Sequence, residues 1–351
     1  MHNLHRVVSC LDNLQRPLCD LRISVTDRCN LRCTYCMPGE AFGRDFVFLR
    51  HAELLSFEEI VCVAQQCVAL GARKIRLSGG EPLLRHGVER LVEMLAGLHG
   101  NDGKPIELAM TSNGTLLAKK ARSLKDAGLM RLNISLDALD ENIFHRMSGS
   151  SVPPGTVLEG IAAAQSVGLT PVKVNAVVKR GINEGEILPL VRHFRHSGVI
   201  MRFIEYMDVG NTNGWRLDDV VTSSETLARI NREYPLTPIE PHATNEVAQR
   251  WAFQDGSGEI GVISSVTRAF CHTCSRLRLS TDGKLYTCLF ATEGVDLRAL
   301  LRTKFTHSDD DAALRQRIAA TWHCRTDRYS QLRHEMTEKP PGRIEMSYIG
   351  G

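Results

Sequence analysis

The chain has 351 residues, of which 43% are hydrophobic and 24% are charged, so it can bury a full core and is not a disordered scaffold. Its formal net charge of +3 is too small to indicate nucleic-acid binding, and no apolar run is long enough to predict a membrane span. The amino terminus lacks a basic region followed by an apolar run of signal-peptide length, so a cytoplasmic location is expected.

Short β-rich runs alternate with longer helical patterns along the first 210 residues. Six strands are predicted, at 21–25, 74–78, 106–112, 131–136, 171–178 and 200–206. Helical patterns lie between them, among them those at 56–71, 87–98, 117–128 and 185–198. This alternation predicts an α/β fold with a parallel sheet and outer helices, either doubly wound or curled into a partial barrel. After Asp208 a segment rich in Asn, Pro, Thr and Gly leads to a hairpin-like region and a helical tail, so we expect a boundary near 210.

Several motifs follow the predicted strands at their carboxyl ends. Three cysteines follow the first strand, SGGEP (78–82) follows the second, TSNG (111–114) follows the third and SLD (135–137) ends the fourth. Met207 follows the sixth strand, whereas Lys173 lies within the fifth. Because parallel α/β folds gather reactive groups at the carboxyl ends of strands, all but Lys173 are expected at one rim.

The first cysteine set is CNLRCTYC, with Cys29, Cys33 and Cys36 in C-x3-C-x2-C spacing. In a reducing compartment, clustered cysteines usually bind metal or carry out redox chemistry. Three thiolates would leave one iron of a 4Fe-4S cluster open to a substrate or cofactor. A structural zinc site would need a fourth ligand, and the local loop offers no further Cys or His. An open cluster is therefore predicted, with a metal knot or a reactive thiol as the alternatives.

The second set is Cys271, Cys274 and Cys288, and again the count is three. A zinc site would need a fourth ligand, for which His272 is badly placed and Cys324 is remote. A second open cluster is predicted, and zinc stays the alternative. The remaining cysteines are scattered and have no assigned role, except that two in a helical pattern are expected to be buried: Cys10, Cys19, Cys62, Cys67 and Cys324.

Arg276 and Arg278 lie two residues apart and would share one face of a strand. Guanidinium groups make bidentate contacts to phosphate, so a cationic set with Arg22, Arg76 and Lys173 would hold a polyphosphate. A solvated face or ordinary ion pairs are the more common role for such arginines. No Walker A sequence is present, and GSGEIG (256–261) predicts a hairpin turn because a β-rich run follows it where a dinucleotide site needs a helix.

CNLRCTYCMP after one strand and SGGEP after the next resemble the radical S-adenosylmethionine (SAM) enzymes. The resemblance implies a partial (β/α)6 TIM-like barrel with a smaller C-terminal region that carries a second Fe-S cluster. It also implies that the open iron of the first cluster binds SAM, and that an electron from the cluster yields a 5′-deoxyadenosyl radical. The GGEP stretch would approach the cofactor through its backbone, which suits Gly79 and Gly80.

FCHTCSRLRLSTDGKLYTCLF, RFIEYMDVGN and the terminal IGG resemble one branch of these enzymes, the GTP 3′,8-cyclase family, from about Leu21 to Gly351. The resemblance implies conversion of GTP to (8S)-3′,8-cyclo-7,8-dihydroguanosine 5′-triphosphate, the first step of molybdenum cofactor biosynthesis. It implies two 4Fe-4S clusters and SAM as cofactors. The implied organisation is an N-terminal extension (1–20), a radical SAM barrel (21–210) and an auxiliary-cluster region with a Gly-Gly tail (211–351).

The same resemblance implies a role for individual residues. The first cluster would be held by Cys29, Cys33 and Cys36, and the second by Cys271, Cys274 and Cys288. The residues around SAM would be Tyr35, Gly80, Ser135 and Met207. The residues that line GTP would be Arg22, Arg76, Thr111, Lys173, Arg276 and Arg278. Catalytic roles would fall to Arg276, Arg278, Gly350 and Gly351, the two glycines being the end of a tail threaded into the site.

The chain departs from the family pattern at three serines that can alter local hydrogen bonds: Ser78, Ser112 and Ser275. The expected partners are an electron donor such as flavodoxin or ferredoxin, a cyclic pyranopterin monophosphate synthase that receives the product, and a second copy of the chain in a homodimer. Neither nucleic acid nor a membrane is expected. Two other functions stay open, a radical peptide-modifying maturase, which usually carries more cysteines in the second region, and a non-catalytic redox sensor, in which GGEP would have no purpose.

Overall fold

The computed structural model describes residues 10–241, 246–303, 310–333, 335 and 342–351, so the first nine residues of the predicted N-terminal extension lie outside the described part. All six predicted strands are confirmed: β1 (Asp20–Ser24), β2 (Lys74–Ser78), β3 (Glu107–Ser112), β4 (Arg131–Ser135), β5 (Lys173–Val178) and β6 (Ile200–Glu205). Each pairs in parallel with the next along the chain. The parallel core predicted from the β–α alternation is therefore present.

Helices connect these strands on their outer side: α1 (Phe57–Ala69), α2 (Val88–Ala96), α3 (Leu117–Asp126), α4 (Glu141–Ser148), α5 (Pro154–Ser166) and α6 (Ile187–Phe194). α1 begins with a capping box, because the Ser56 side chain accepts from the Glu59 backbone N–H and the Glu59 side chain accepts from that of Ser56. It ends just before Gly71, whose φ of 115° a residue with a side chain rarely adopts. Its buried face includes Cys62 and Cys67, as predicted.

The part of the chain after residue 210 extends this sheet at both edges. Its strands are β7 (Leu236–Ile239), β8 (Gln249–Phe253), β9 (Glu259–Ile263), β10 (Arg276–Leu279), β11 (Lys284–Tyr286) and β12 (Val295–Asp296). The strand order is β12-β11-β10-β1-β2-β3-β4-β5-β6-β9-β8-β7, in which β10 lies parallel to β1 and β9 lies parallel to β6. Sequence analysis predicted a hairpin-like region but not these two parallel pairings.

The hairpin turn predicted at 256–261 is confirmed, since β8 and β9 pair antiparallel and the Phe253 N–H donates to the Gly258 carbonyl across 3.0 Å. The later helices are α7 (Ser223–Glu233), α8 (Arg298–Thr303), α9 (Asp310–His323), α10 (Tyr329–Leu332) and α11 (Met346–Ile349). Among the described residues, no helix is long and apolar enough to cross a membrane. The domain boundary near 210 stays a prediction.

The strands separate an apolar layer from a polar interior. In β1, Leu21 and Ile23 are fully buried in the hydrophobic core, whereas Arg22 between them lines a central cavity. β2 alternates in the same way, with Ile75 in the core and Arg76 at the cavity. Because side chains alternate between the two faces of a strand, the apolar face packs under the helices and the polar face is turned inward. Residues of all six strands line this one cavity, so the sheet is curled around it.

Candidate active site

The cavity has a volume of about 980 Å³ and is lined by the inner faces of the strands and by the loops after them. It brings together almost every residue that sequence analysis selected. The lining includes Arg22, Cys29, Cys33, Tyr35, Cys36, Arg76, Gly80, Thr111, Ser135, Lys173, Met207, Cys271, Cys274, Arg276, Arg278, Cys288 and Gly351. Of the selected residues only Gly350 does not line it, and that residue contacts Arg278 instead.

The first cysteine set occupies the loop after β1. The N–H groups of Cys36 and Met37 donate to the Cys33 carbonyl at 3.0 and 2.9 Å, which closes a tight turn around this thiol. The Leu31 N–H donates to the Cys29 sulfur at 3.4 Å. Burial raises the pKa of the Cys29 thiol to about 11 and raises the pKa of Cys33 well above its usual value. Buried thiolates without a compensating cation are costly, so this pocket suits sulfurs that are bound to metal.

The GGEP loop is packed against the cysteine loop. A side chain at Gly79 would place its Cβ 2.4 Å from the Thr26 carbonyl oxygen, and one at Gly80 would lie 2.2 Å from that of Arg28. Both distances are too short for real atoms, so the close approach of the two backbones requires glycine. Glu81 then reaches the next strand, where it accepts from the Ser112 hydroxyl at 2.8 Å. The two glycines therefore hold the loops after β1 and β2 together at the cavity.

Tyr35 is fixed from the opposite side of the barrel. Its hydroxyl donates to Asp137 Oδ2 at 2.9 Å, and the Val177 N–H donates to the other oxygen of the same carboxylate at 2.9 Å. Burial raises the pKa of Asp137 to about 6, although both hydrogen bonds lower it. Sequence analysis placed the SLD motif at the rim but gave Asp137 no role. The sequence could have indicated a role for Asp137, because it is the only acidic residue of that motif.

Three arginines stand side by side on the inner face of the sheet. Arg278 of β10 is in register with Arg22 of β1, which is in register with Arg76 of β2. Paired residues of parallel strands point to the same face, so the three guanidinium groups enter the cavity together. We call this set the arginine row. Among its described hydrogen bonds, Arg76 donates to the Thr111 hydroxyl at 3.3 Å.

The next row toward the amino ends of these strands is balanced in charge. There Arg276, Asp20, Lys74 and Glu107 are in register across four strands. Lys74 Nζ lies 2.6 Å from Glu107 Oε1, and Arg131 lies 3.4 Å from the same oxygen. Alternating charges neutralise each other in this row, whereas the arginine row has no such partner within it. The excess positive charge therefore faces the centre of the cavity.

Burial and mutual repulsion make the charged forms of the arginine row less favourable. Burial and the neighbouring Arg278 lower the pKa of Arg22 well below its usual value. Burial and Arg276 likewise lower the pKa of Arg278 to about 10. The Nε atoms of Arg22 and Arg76 are buried and have no hydrogen-bond partner. Buried donors and like charges in this state favour binding of an anion.

Lys173 and Arg202 add further positive charge to the cavity. Burial, with Arg202 nearby, lowers the pKa of Lys173 to about 8. Arg202 lies on β6, lines the cavity and donates to Asn175 Oδ1 at 2.9 Å. Sequence analysis missed Arg202 and Lys74. The period-two alternation of β2 and β6 was the signal that places both on the inner face.

The second cysteine set lies beside β10 and β11, close to the arginine row. Cys271 and Cys274 flank a short turn in which the Cys274 N–H donates to the Cys271 carbonyl at 3.2 Å. Burial raises the pKa of the Cys274 thiol, but Arg276 and Arg325 outweigh that effect and lower it to about 6. Burial and Asp327 raise the pKa of Cys288 to about 11. This set therefore contains one thiol that is already favoured as a thiolate.

The two cysteine sets supply the sulfur ligands that an iron–sulfur cluster uses. Within the described residues, no three Cys, His, Asp or Glu side chains close around one point as ligands of a single metal ion would. In an iron–sulfur cluster each thiolate binds a different iron, so a set of three cysteines that lines one cavity offers the ligands for that group. Both cysteine sets offer sulfur ligands alone and are partly buried at the cavity, which also fits iron–sulfur ligation.

The carboxyl terminus enters the cavity and is held there by buried charges. Arg278 donates to the Gly350 carbonyl, and Gly351 lines the cavity. Behind this tail, Arg343 donates to the Asp208 carbonyl at 2.6 Å, and Glu345 accepts from the Asn211 N–H at 2.9 Å. The tail is thus tied to the segment that follows β6. Sequence analysis predicted the entry of the tail but not these anchors.

Two family models match this chain. Residues 23–194 match the Radical SAM superfamily, and residues 199–331 match Molybdenum Cofactor Synthesis C. The GTP 3′,8-cyclase of Acidothermus cellulolyticus is 50% identical, covering 97% of this chain and 98% of its own length. That of Staphylococcus haemolyticus is 45% identical, covering 98% of this chain and 100% of its own length. The chain belongs to the GTP 3′,8-cyclase family.

Solved structures support the fold of this GTP 3′,8-cyclase family member. Streptococcus suis SuiB bound to S-adenosylmethionine superposes with a TM-score of 0.61 at 16% identity, covering 96% of this chain and 76% of the other. anSMEcpe with bound AdoMet superposes with a TM-score of 0.54 at 15% identity, covering 84% of this chain and 82% of the other. At this identity the likeness concerns the fold alone. It confirms the partial barrel, and family membership decides against the maturase and redox-sensor alternatives.

Proposed function

We propose that the cavity holds GTP between the two cysteine sets, with its triphosphate on the arginine row. The chain is a radical SAM enzyme that converts GTP to (8S)-3′,8-cyclo-7,8-dihydroguanosine 5′-triphosphate, the first step of molybdenum cofactor biosynthesis. Its cofactors are two 4Fe-4S clusters and SAM. The proposal assigns each of these groups to particular residues.

The arginine row is the main observation that supports a GTP site in this cavity. Three in-register guanidinium groups repel one another, and two of them have unpaired buried Nε atoms, so together they offer the charge and the donors that suit a polyphosphate. Arg276, Lys173 and Thr111 line the same cavity and complete the contacts expected from sequence. A triphosphate bound there would offset the repulsion among these cations, and this gain would strengthen its binding.

The first set would hold the cluster that binds SAM, through Cys29, Cys33 and Cys36. The second set would hold a cluster that faces the guanine, through Cys271, Cys274 and Cys288. Around SAM we place the side chain or backbone of Tyr35, Gly80, Ser135 and Met207, all of which line the cavity. When bound, the first cluster and SAM supply the one-electron chemistry that removes hydrogen from the ribose. The protein keeps the ribose within reach of that chemistry, because a misplacement of about 1 Å would be costly.

The arginine at the end of the row links substrate to tail. Arg278 donates to the Gly350 carbonyl and borders the space assigned to the triphosphate, so it can contact both the tail and the substrate. With Gly351 in the cavity, the tail would restrict the space around the ribose and exclude water from it. We therefore assign catalytic-site roles to Arg276, Arg278, Gly350 and Gly351. They act by binding and orienting the substrate.

The partners follow from this chemistry. All eleven cysteines lie in the described part of the chain and none forms a disulfide, which fits a reducing cytoplasmic location. An electron donor such as flavodoxin or ferredoxin would reduce the first cluster, and a cyclic pyranopterin monophosphate synthase would take the product. A homodimer stays a prediction.

The residue assignments can be tested by iron counting in cysteine variants. Anaerobically reconstituted protein should bind about eight irons per chain, because two 4Fe-4S clusters are expected. Replacing the second set with Cys271→Ala, Cys274→Ala and Cys288→Ala should remove about half of the iron and weaken GTP binding, but leave SAM binding. An unchanged iron content in that triple variant would contradict the assignment. The matched control is Cys324→Ala, an exposed cysteine outside both sets, which should change neither.

A further inference from the structure

The two cysteine sets differ in the side chains that contact their sulfurs, because only in the second do the described hydrogen bonds include a guanidinium donor to a cysteine sulfur. The thiols of the first set face carboxylates, Asp137 near Cys33 and Glu81 near Cys29. In the second set, the Cys274 sulfur accepts a hydrogen bond from Arg325 Nη2 at 3.2 Å. A buried guanidinium fixed directly on a candidate cluster ligand is not needed for phosphate binding. It calls for a role at the second set itself.

Arg325 is held so that it cannot turn away from this sulfur. Its Nη1 donates to the Cys274 carbonyl at 2.6 Å, so one guanidinium contacts both the backbone and the side chain of the same cysteine. The group lies over the Trp322 ring at 4.6 Å from the ring centre. The whole residue is only 3% exposed. A planar guanidinium that is stacked and doubly bonded loses most of its freedom, which gives the contact a defined geometry.

The amino-terminal segment reaches the same place from the other end of the chain. A short bridge between Leu11 and Pro17 folds this segment into a hook. At its centre Arg16 donates from Nε to Asp12 Oδ2 at 2.6 Å, and its NH1 donates to the Cys271 carbonyl at 2.8 Å. The hook therefore holds the first cysteine of the second set. It also gives a structural role to residues whose sequence carried no interpretable motif.

Asp12 connects the two arginines. The same Oδ2 that accepts from Arg16 lies 3.6 Å from Arg325 NH1. Asp12, Arg16 and Arg325 are all nearly inaccessible, with 1%, 2% and 3% exposure. Asp12 thus faces two buried guanidinium groups, and the partly exposed Asp327 lies 3.5 Å from Arg325 Nε as a second carboxylate. This pairing matters because a buried charge without compensation is strongly unfavourable. These carboxylates hold Arg325 in place, while its Nη2 donates to the Cys274 sulfur, where it would stabilise an anionic sulfur-bound group.

We propose that Asp12, Arg16 and Arg325 form a positioning unit that fixes the CHTC loop and favours reduction of the cluster held by the second set. This inference rests on the proposal that Cys271, Cys274 and Cys288 hold an iron–sulfur cluster. One-electron reduction adds negative charge to a cluster, and hydrogen bonds to its sulfurs are among the factors that set its potential. A fixed guanidinium therefore stabilises the reduced form more than the oxidised form.

The test isolates the second cluster in the full-length chain. Cys29→Ala, Cys33→Ala and Cys36→Ala together remove the first set, so that the remaining iron and its spectrum report on the second set alone. In this background Arg325→Met and Arg325→Gln remove the charge, and Gln keeps a hydrogen-bond donor. Arg195→Met is the matched control, because Arg195 also stacks on an aromatic ring, Tyr234 at 4.0 Å, and pairs with a carboxylate, Asp255, while none of the three lines the cavity.

The readouts are iron per chain and the midpoint potential from an anaerobic reductive titration followed by electron paramagnetic resonance. We expect the background protein to retain about four irons. Arg325→Met should shift the oxidised-to-reduced equilibrium at least tenfold toward the oxidised form, which is about 59 mV for a one-electron couple. Arg325→Gln should shift the midpoint potential in the same direction but by less. Arg195→Met should have the same midpoint potential as the background protein.

Each outcome decides the inference. Full iron with the background potential in both Arg325 variants overturns it while leaving the second cluster established. Absence of iron in the background protein overturns the second cluster itself and the inference with it. If both variants lose iron but keep the circular dichroism and thermal unfolding of the background, the positioning role is supported. If they lose iron because the whole chain unfolds, the residue has a general stabilising role and the inference is wrong.

Discussion

Replacement of Arg278 by Gln should separate the stability of the protein from its affinity for GTP. Burial and Arg276 lower the pKa of Arg278 from its ordinary value to about 10. A base whose pKa falls on folding costs stability at every pH below its folded pKa, so at neutral pH the charged Arg278 is unfavourable by on the order of 3 kcal/mol. Its hydrogen bond to the Gly350 carbonyl offsets about 1.5–3 kcal/mol of that cost. The two effects nearly cancel in the protein without GTP.

Loss of this charge should therefore leave the GTP-free protein as stable as the parent, or more stable by about 1 kcal/mol. GTP binding should weaken by about ten- to a hundredfold, because one charge-assisted phosphate contact worth about 1.5–3 kcal/mol is lost. Anaerobic titration calorimetry with GTP and with SAM measures the affinities, and thermal unfolding with and without GTP measures the stability. SAM affinity should not change.

The exposed Arg90, which pairs with Glu58 on the outer surface, supplies the control Arg90→Gln and should change neither quantity. The reasoning is refuted if Arg278→Gln lowers the stability of the GTP-free protein by more than about 2 kcal/mol while GTP and SAM affinities fall equally. That result would mean that Arg278 supports the fold rather than the substrate.

Three further predictions concern the remaining parts of the site. Cys33→Ala should abolish SAM cleavage and remove only the iron of the first set, as measured by deoxyadenosine formation and iron content; undiminished deoxyadenosine would contradict the radical mechanism. Deletion of Gly350 and Gly351 should leave deoxyadenosine formation but greatly reduce cyclised product, detected by mass, and a synthetic peptide ending in Gly-Gly should restore part of it. Burial and Arg202 lower the pKa of Lys173 to about 8, so its charge is lost as pH rises through that value and GTP binding should weaken between about pH 7 and pH 8.5. Lys173→Arg should flatten that dependence, and a profile identical to the parent would show that Lys173 does not contact the phosphates.

The strands, their order up to β6 and both cysteine sets could be predicted because they depend on local pattern. Leu21, Arg22 and Ile23 alternate between core and cavity, and such a period is visible in the sequence. The placement of β9 beside β6 and β10 beside β1 could not be predicted, since a parallel pairing across a long connection leaves no local signal.

The anchors of the site were missed for the same reason. Arg16 contacts the carbonyl of Cys271, 255 residues away, and Arg343 contacts Asp208, 135 residues away. Each of these residues, considered alone, resembles any surface charge. Only the fold shows that they are buried and paired. The arginine row was partly predictable, because Arg22, Arg76 and Arg278 each belong to a predicted strand or motif, but their common register is a property of the assembled sheet.

The central claim is that this protein removes the 3′ hydrogen of GTP with a radical derived from SAM. The most direct measurement uses reconstituted protein, a reductant, SAM and GTP that carries deuterium at C3′, followed by mass analysis of both products. We predict that 5′-deoxyadenosine gains one deuterium and that the nucleotide product has the mass of 3′,8-cyclo-7,8-dihydro-GTP. Deoxyadenosine without deuterium, or turnover of SAM with unchanged GTP, would contradict the claim.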